Sequence, residues 1–318
     1  MFSTQVNIPH SSVEITYTYR ILTLGSCFAE NIGTKLQEAY FPTFINPFGV
    51  MYNPMSVALG IRHLMSEKQF TVGDLFQSGS LWNSLAHSSA FSATTCDETL
   101  QSINSRLLAA RHFLNETNIL MITLGTAWIF ELVDTGEIVS NCHKLPANRF
   151  TRRRLSVDEI NKELTEVLSL LRSRYPDLQF IFTVSPIRHW KDGAHENTIS
   201  KSTLHLAVDA LEKQFDFVHY FPAYELVMDE LRDYRFYASD MLHPSDVAVD
   251  YIWRRFAETW FSSETLNLKK ELEQLRSDIN HRPLHPETEE YRLFQLNVEK
   301  KKNGLIQHYP FLKERFRI

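Results

Sequence analysis

The chain has 318 residues, 43% of them apolar, and a formal net charge of −5. This supplies a sizeable core, in one large domain or two small ones, and gives no reason to expect disorder. The densest basic run, Arg152-Arg153-Arg154, is too short for a nucleic-acid footprint and reads as a solvated helix approach.

Three widely spaced cysteines, Cys27, Cys96 and Cys142, form neither a disulfide framework nor a CxxC pair, as expected in a reducing compartment. Residues 1–20 lack the charged and apolar regions of a secretory leader. No run approaches the roughly 18 uninterrupted apolar residues of a membrane span. The expectation is a cytoplasmic protein with neither a nucleic-acid nor a membrane partner.

Ile21–Leu24 is the first of several short runs that are apolar throughout, the pattern of strands buried on both faces. It stops at Gly25-Ser26-Cys27, after which Phe28, Ile32 and Leu36 repeat at helical spacing. A small residue at such a turn, followed by a helix N-terminus with free N–H groups, suits a thiolate or an oxyanion. The same residues also suit a serine N-cap followed by an inert buried cysteine. The knot Trp82-Asn83-Ser84-Leu85-Ala86-His87-Ser88 has no role derivable from its residues.

Leu100, Ile103, Leu107 and Leu114 trace a helix face before a second apolar run, Ile119–Leu124, which ends at Gly125-Thr126. Ser156 and Glu159 form a capping box for a helix with Ile160, Leu164, Val167, Leu168 and Leu171 on one face. The third run, Phe180–Val184, leads into Ser185-Pro186-Ile187-Arg188-His189. Leu204, Val208, Leu211 and Phe215 mark the next helix, before a weaker run at Phe217–Tyr220. Alternating strands and helices predict a parallel sheet with helices on both faces and its chemistry at the strands' carboxyl ends.

Asp240-Met241-Leu242-His243-Pro244 precedes a helix carrying Val247, Ile252, Trp253, Phe256 and Trp260, with Ser245 as its N-cap. A carboxylate three residues before an imidazole can hold the ring's tautomer, freeing the other nitrogen to take a nucleophile's proton. The alternative is a plain surface turn ahead of Pro244. Cys142, His143 and His189 could be proposed as metal ligands, but no spacing matches a zinc motif, and polar loops lining a cleft account for them better. Beyond residue 263 the chain turns charged and Leu-punctuated, with Pro283 and Pro286 breaking it into a helical hairpin. Such a hairpin is expected to be a packing arm or a homodimer contact.

Taken together, Gly25–Gly33, Asn46–Pro54, Asn141–Lys144, Ser185–His189 and Phe236–Ser245 resemble the GSCFA family, and through it the SGNH/GDSL hydrolases. The resemblance implies a doubly wound, flavodoxin-like three-layer α/β sandwich over residues 1–262, with a C-terminal helical extension over 263–318. It implies hydrolysis of carboxylic (O-acyl) esters through an acyl-enzyme, without cofactor or metal, on an acylated carbohydrate or another small acyl ester. Asp240 and His243 match the late Asp-x-x-His block of those hydrolases. Counted from Gly25, their nucleophile position is Cys27, with Ser26 where their aspartate stands; both are candidates.

Their Gly-x-Asn-Asp block corresponds here to Gly125-Thr126-Ala127-Trp128, so alanine stands where the oxyanion asparagine would be. Gly49, Asn53, Gly125, Asn141, His143, Arg188 and His189 are the candidates for oxyanion or substrate contacts. An O-acyltransferase and a catalytically silent ligand-binding protein are the alternative readings on this scaffold.

Overall fold

The computed structural model of the chain describes residues 4–316. The first half runs β1 (Ile21–Gly25), α1 (Cys27–Glu38), β2 (Thr43–Ile45), α2 (Pro54–Met65), β3 (Phe76–Ser78), β4 (Leu81–Asn83), α3 (Cys96–Leu114), β5 (Ile119–Leu124), β6 (Trp128–Leu132), β7 (Ile138–Val139), β8 (Phe150–Arg154) and α4 (Val157–Arg174). It continues with β9 (Gln179–Val184), α5 (Gly193–Gln214), β10 (Val218–Tyr220), α6 (Ala223–Glu225), α7 (Asp246–Trp260), α8 (Ser263–Ile279), α9 (Glu289–His308) and α10 (Leu312–Arg315).

Five strands build the central sheet in the order β2-β1-β5-β9-β10, every pair parallel. Numbered within the sheet, that is the flavodoxin-like order 2-1-3-4-5. Strand residues alternate between two apolar layers. Leu22, Leu24, Leu120, Ile122 and Phe182 join the helix residues Ile61, Ile103, Leu164 and Leu204 on one face. Ile21, Ile119, Met121 and Ile181 join Ile32, Ile252 and Phe256 on the other. The result is a three-layer α/β fold. The Ser156 capping box forms with both of its bonds, Glu159 N–H to Ser156 Oγ at 3.2 Å and Ser156 N–H to Glu159 Oε2 at 2.8 Å.

Several elements depart from the sequence reading. β2 is only three half-buried residues, too short to carry an apolar run. Arg152–Arg154 is not a solvated helix approach but part of β8, in a small antiparallel sheet of order β7-β6-β8. Its guanidiniums meet Asp192, the pair Glu131 and Glu159, and Glu196 respectively. Val247, expected on the apolar face of α7, is 65% exposed, and Phe215 caps α5 rather than belonging to it.

The C-terminal helices do pack as an arm. Leu268, Leu272 and Leu275 of α8, Val298 and Leu305 of α9, and Leu312 of α10 are buried in the second core, each such leucine worth about 1.5–3 kcal/mol of burial. Among the described residues no helix is long and apolar enough to cross a membrane.

Candidate active site

In a sheet of this order the connections reverse between β1 and β5, and ligands bind in the crevice outside that point. β1 ends at Gly25, whose φ is +139°. A Cβ there would lie 2.2 Å from the Thr123 carbonyl oxygen, so only glycine lets the chain turn directly from strand into helix. Ser26 follows, 1% exposed, and its Oγ caps α1 by accepting the Phe28 N–H at 3.3 Å. Cys27 opens the helix, partly exposed. Its Sγ lies 3.5 Å from the Tyr52 hydroxyl.

The loop 46–53 straps the ends of β1 and β5 together. Asn46 Oδ1 accepts the Gly25 N–H at 3.0 Å, Gly25 O accepts the Met51 N–H, and Tyr52 O accepts the N–H groups of both Gly125 and Thr126. The Tyr52 ring stands edge-on to His189, centroids 5.2 Å apart. A Cβ on Gly125 would meet His189 Nε2 at 3.1 Å and Tyr52 O at 3.2 Å, so this glycine admits the close approach of both. Burial raises the Tyr52 hydroxyl well above its ordinary value, and its contact with the thiol adds to this. The hydroxyl therefore keeps its proton.

His189 is pushed down to about 4, by burial first and then by the ammonium of Lys201. Asp240, the partner of His243, lines one cleft with Arg188, the neighbour of His189 in the chain. Lys201 is buried, donating to the carbonyls of Gly125 at 2.7 Å and Ser185 at 2.6 Å. Burial pulls it down to about 7. It ties the carboxyl ends of β5 and β9 to α5.

Asp240 and His243 lie in the turn before α7. Asp240 Oδ1 accepts the N–H groups of Leu242 and His243, each at 2.9 Å, and Oδ2 lies 2.5 Å from His243 Nδ1. Met241, between them, takes a left-handed φ of +60°, a strain that the surrounding bonds must hold. The backbone N–H donors of His243 and Leu242, followed by the imidazole, hold the Asp240 carboxyl at about 2. An ionised Asp240 on Nδ1 fixes the tautomer and leaves Nε2 as the ring's basic atom. Beside this turn is a cleft of about 480 Å3 whose lining includes Arg188, Trp190, Tyr237 and Asp240.

The remaining sequence candidates lie in other bonds. Gly49 donates its N–H to Asn46 O. Asn53 caps α2 through Oδ1 on the Ser56 N–H at 2.8 Å, which leaves its NH2 group. Asn141 accepts the His143 N–H at 2.9 Å and reaches Ser89 Oγ at 3.4 Å. His143 Nε2 donates to the carbonyls of Ser84 (2.8 Å) and His87 (3.1 Å). His87 is buried against Phe48, Phe70 and Phe91, with Nδ1 2.9 Å from Ser84 Oγ. The Trp82–Ser88 knot is thus a brace behind loop 46–53. Among the described residues no group of three or more His, Cys, Asp or Glu could hold a metal ion.

Cys27, Tyr52, Gly125, His189, Arg188, Asp240 and His243 therefore lie along the carboxyl ends of β1, β5 and β9, whereas Asn141 and His143 join the brace. Sequence reading missed Tyr52 and Lys201. Tyr52 had a signal in lying inside the Asn46–Pro54 segment, from which the sequence reading takes only Gly49 and Asn53. Lys201 had a signal, because the Leu204, Val208, Leu211 stripe extended back by three residues falls on it.

This is a doubly wound α/β protein of flavodoxin-like strand order. The chain belongs to the GSCFA family: the family model matches residues 20–256, and that of the GSCFA domain protein, C-terminal domain, matches 263–316. Solved structures with a distant likeness include a Streptococcus pneumonia protein provisionally described as a platelet activating factor. It has 13% identity and a TM-score of 0.37, over 77% of this chain and 85% of that one. Another is an acetyl xylan esterase from the rumen bacterium Butyrivibrio proteoclasticus, with 12% identity and a TM-score of 0.33, over 78% of this chain and 64% of that one. Likenesses this distant carry no argument about activity. No curated protein matches the chain.

Proposed function

We propose that the protein hydrolyses carboxylic (O-acyl) esters of a carbohydrate or small acyl substrate through a covalent acyl-enzyme, with Cys27 as the nucleophile. The observation that carries this reading is the Asp240–His243 pair, oriented by two backbone N–H bonds, at the end of the sheet where β1 delivers a partly exposed thiol. Ser26 is the lesser candidate because it is buried and its hydroxyl caps α1.

His243 Nε2 takes the thiol proton, and Sγ attacks the ester carbonyl. The tetrahedral intermediate expels the alkoxide, which receives that proton from His243. Water, deprotonated by His243, then attacks the thioester, and the departing thiolate is reprotonated. The Cys27 Sγ partner without substrate is Tyr52, not His243; seating the ester completes the thiol–imidazole contact, as catalytic bonds often tighten on binding. For the oxyanion, the reading uses the Cys27 N–H at the start of α1 and the Tyr52 hydroxyl, in place of the absent block asparagine.

The thiol also supports a second reading, acyl transfer to a sugar hydroxyl in place of water. The test is hydrolysis of a short-chain aryl acetate by wild type, Cys27→Ala, Ser26→Ala and His243→Ala, repeated with a sugar alcohol as acceptor. Turnover lost in His243→Ala and in one of the two nucleophile variants supports the acyl-enzyme and names its nucleophile. Wild-type turnover no faster than that of His243→Ala sinks it, leaving a catalytically silent binding protein.

A further inference from the structure

The cleft beside Asp240 contains a guanidinium that the proposed acyl chemistry does not use. Arg188 is half-buried, and three bonds fix it: Nε to Asn197 Oδ1 at 3.1 Å, and Nη2 to Ala194 O and Thr198 Oγ1 at 3.2 Å each. Asn197, its main anchor, is 1% exposed. These bonds occupy Nε and Nη2 and leave the two N–H groups of Nη1. Among the described residues no carboxylate pairs with Arg188, whereas the cleft's other arginine, Arg232, is paired with Asp229 at 3.1 Å. The acidic groups of the cleft are engaged as well, Asp233 by Arg235 and Asp240 by His243.

The walls are aromatic. Arg188 lies 5.1 Å from the centroid of Trp190 and lines the cleft together with Tyr237. Trp190, Tyr234 and Met241 remain 52%, 73% and 52% exposed at the same place. Large apolar side chains gathered unburied around one cleft mark a binding surface more than a fold requirement. A guanidinium held rigid by its own bonds loses little freedom on meeting a planar anion.

We propose that this cleft is a subsite for an anionic group, a carboxylate or a phosphate, attached to a flat or apolar body that packs on Trp190 and Tyr237. Arg188 Nη1 binds the anion and the rings take the body. The subsite deepens the ester reading, on which it rests for one point only: that the scissile bond is seated beside His243. The substrate class is then an acyl ester with an acidic substituent a few atoms from its carbonyl.

The test measures binding, not turnover. Phenylacetate and phenyl phosphate are titrated calorimetrically into the full chain, beside phenylacetamide as the neutral isostere of the first. Wild type is expected to bind at least one anion ~10-fold tighter than the amide, a gap typical of a charge-assisted bond. Arg188→Gln should bring that ratio to about one with amide binding unchanged, and Trp190→Ala should weaken all three probes alike. Which anion binds tighter assigns carboxylate or phosphate.

Equal affinity for anion and amide, no binding of any probe, or a preference that survives Arg188→Gln overturns the proposal. Because Arg188 also anchors the start of α5, a second measurement uses wild type alone. Phenyl phosphate should slow phenylglyoxal modification of the Arg188 peptide, and no protection overturns the subsite. An intact anion preference in a protein without ester turnover would remove the acyl-enzyme reading and leave this one standing.

Discussion

Two polar clusters in this molecule look equally chemical as sequence and differ in what the fold does with them. The brace of Ser84, His87, Asn141 and His143 turns its polar atoms inward: His143 Nε2 on two carbonyls, His87 Nδ1 on Ser84 with Nε2 shut away from solvent, and Asn141 Oδ1 on a backbone N–H. The cluster at the strand ends leaves Cys27 Sγ partly exposed and gives His243 a carboxylate on one nitrogen only. A histidine whose bonds are closed within the protein holds loops in place. One with an oriented ring and a free basic nitrogen can move a proton.

That contrast breaks most directly on turnover. Cys27→Ala and His243→Ala are each expected to lower aryl-ester hydrolysis by ~10⁴-fold or more, read as release of the aryl alcohol, with melting temperature nearly unchanged. Next is Tyr52→Phe, expected to cost ~10²-fold in kcat with little change in KM, because it removes a donor needed only once charge develops on oxygen. A rise in KM alone would make Tyr52 a binding residue.

The brace is tested by stability. His143→Ala strands the His87 carbonyl and takes one of two donors from the Ser84 carbonyl, which keeps the His87 N–H, so urea titration should show a loss of ~1–3 kcal/mol, with turnover per folded molecule retained. Full stability with turnover abolished would move His143 into the site and collapse the distinction.

Both clusters should share an acid sensitivity. His87 is pushed down to about 3 and His189 to about 4, burial being the first cause in each. Between those values and the ordinary value near 6.5 the unfolded chain binds more protons than the folded one. Stability therefore falls on acidification from pH 6.5 toward 4, by about 2 kcal/mol per histidine at pH 4.5. His87→Gln should flatten part of that slope in urea titrations at pH 7 and 4.5. The smallest effect sharpens the nucleophile assignment: Ser26→Ala should cost ~1 kcal/mol through loss of the α1 cap, with turnover largely kept. A dead but fully stable Ser26→Ala would make Ser26 the nucleophile and Cys27 its neighbour.

Much of this architecture is written locally. The all-apolar runs at 21–24, 119–124 and 180–184 are strands in the structure, the Ser156–Glu159 box caps α4, and Ser245 caps α7 through the Ala248 N–H. Each depends on neighbours within a few residues, so composition and period suffice. The Asp240–His243 bond is equally local, because a turn of four residues closes it.

β2, the antiparallel sheet around β8 and the pairing of Arg152–Arg154 with distant acids were not legible. Three half-buried residues carry no period, and ion pairs between separate segments leave no local trace. Lys201 shows the boundary between the two kinds of information. Helical spacing puts it on the buried face of α5, but only the assembled sheet supplies the carbonyls of Gly125 and Ser185 that let an ammonium stay there.

By itself, then, the sequence determined the buried strands β1, β5 and β9, the main helices between them, the caps and the aspartate–imidazole turn, all set by short-range sterics and hydrogen bonding. Only the tertiary structure decided that Tyr52 rather than an asparagine stands beside the Cys27 thiol, that Asn141 and His143 turn inward, and that Arg188 is fixed by Asn197, Ala194 and Thr198. Those outcomes depend on groups from different segments meeting at one end of a sheet. Burial and distance there, not residue type, decide which polar atoms are left over for a substrate.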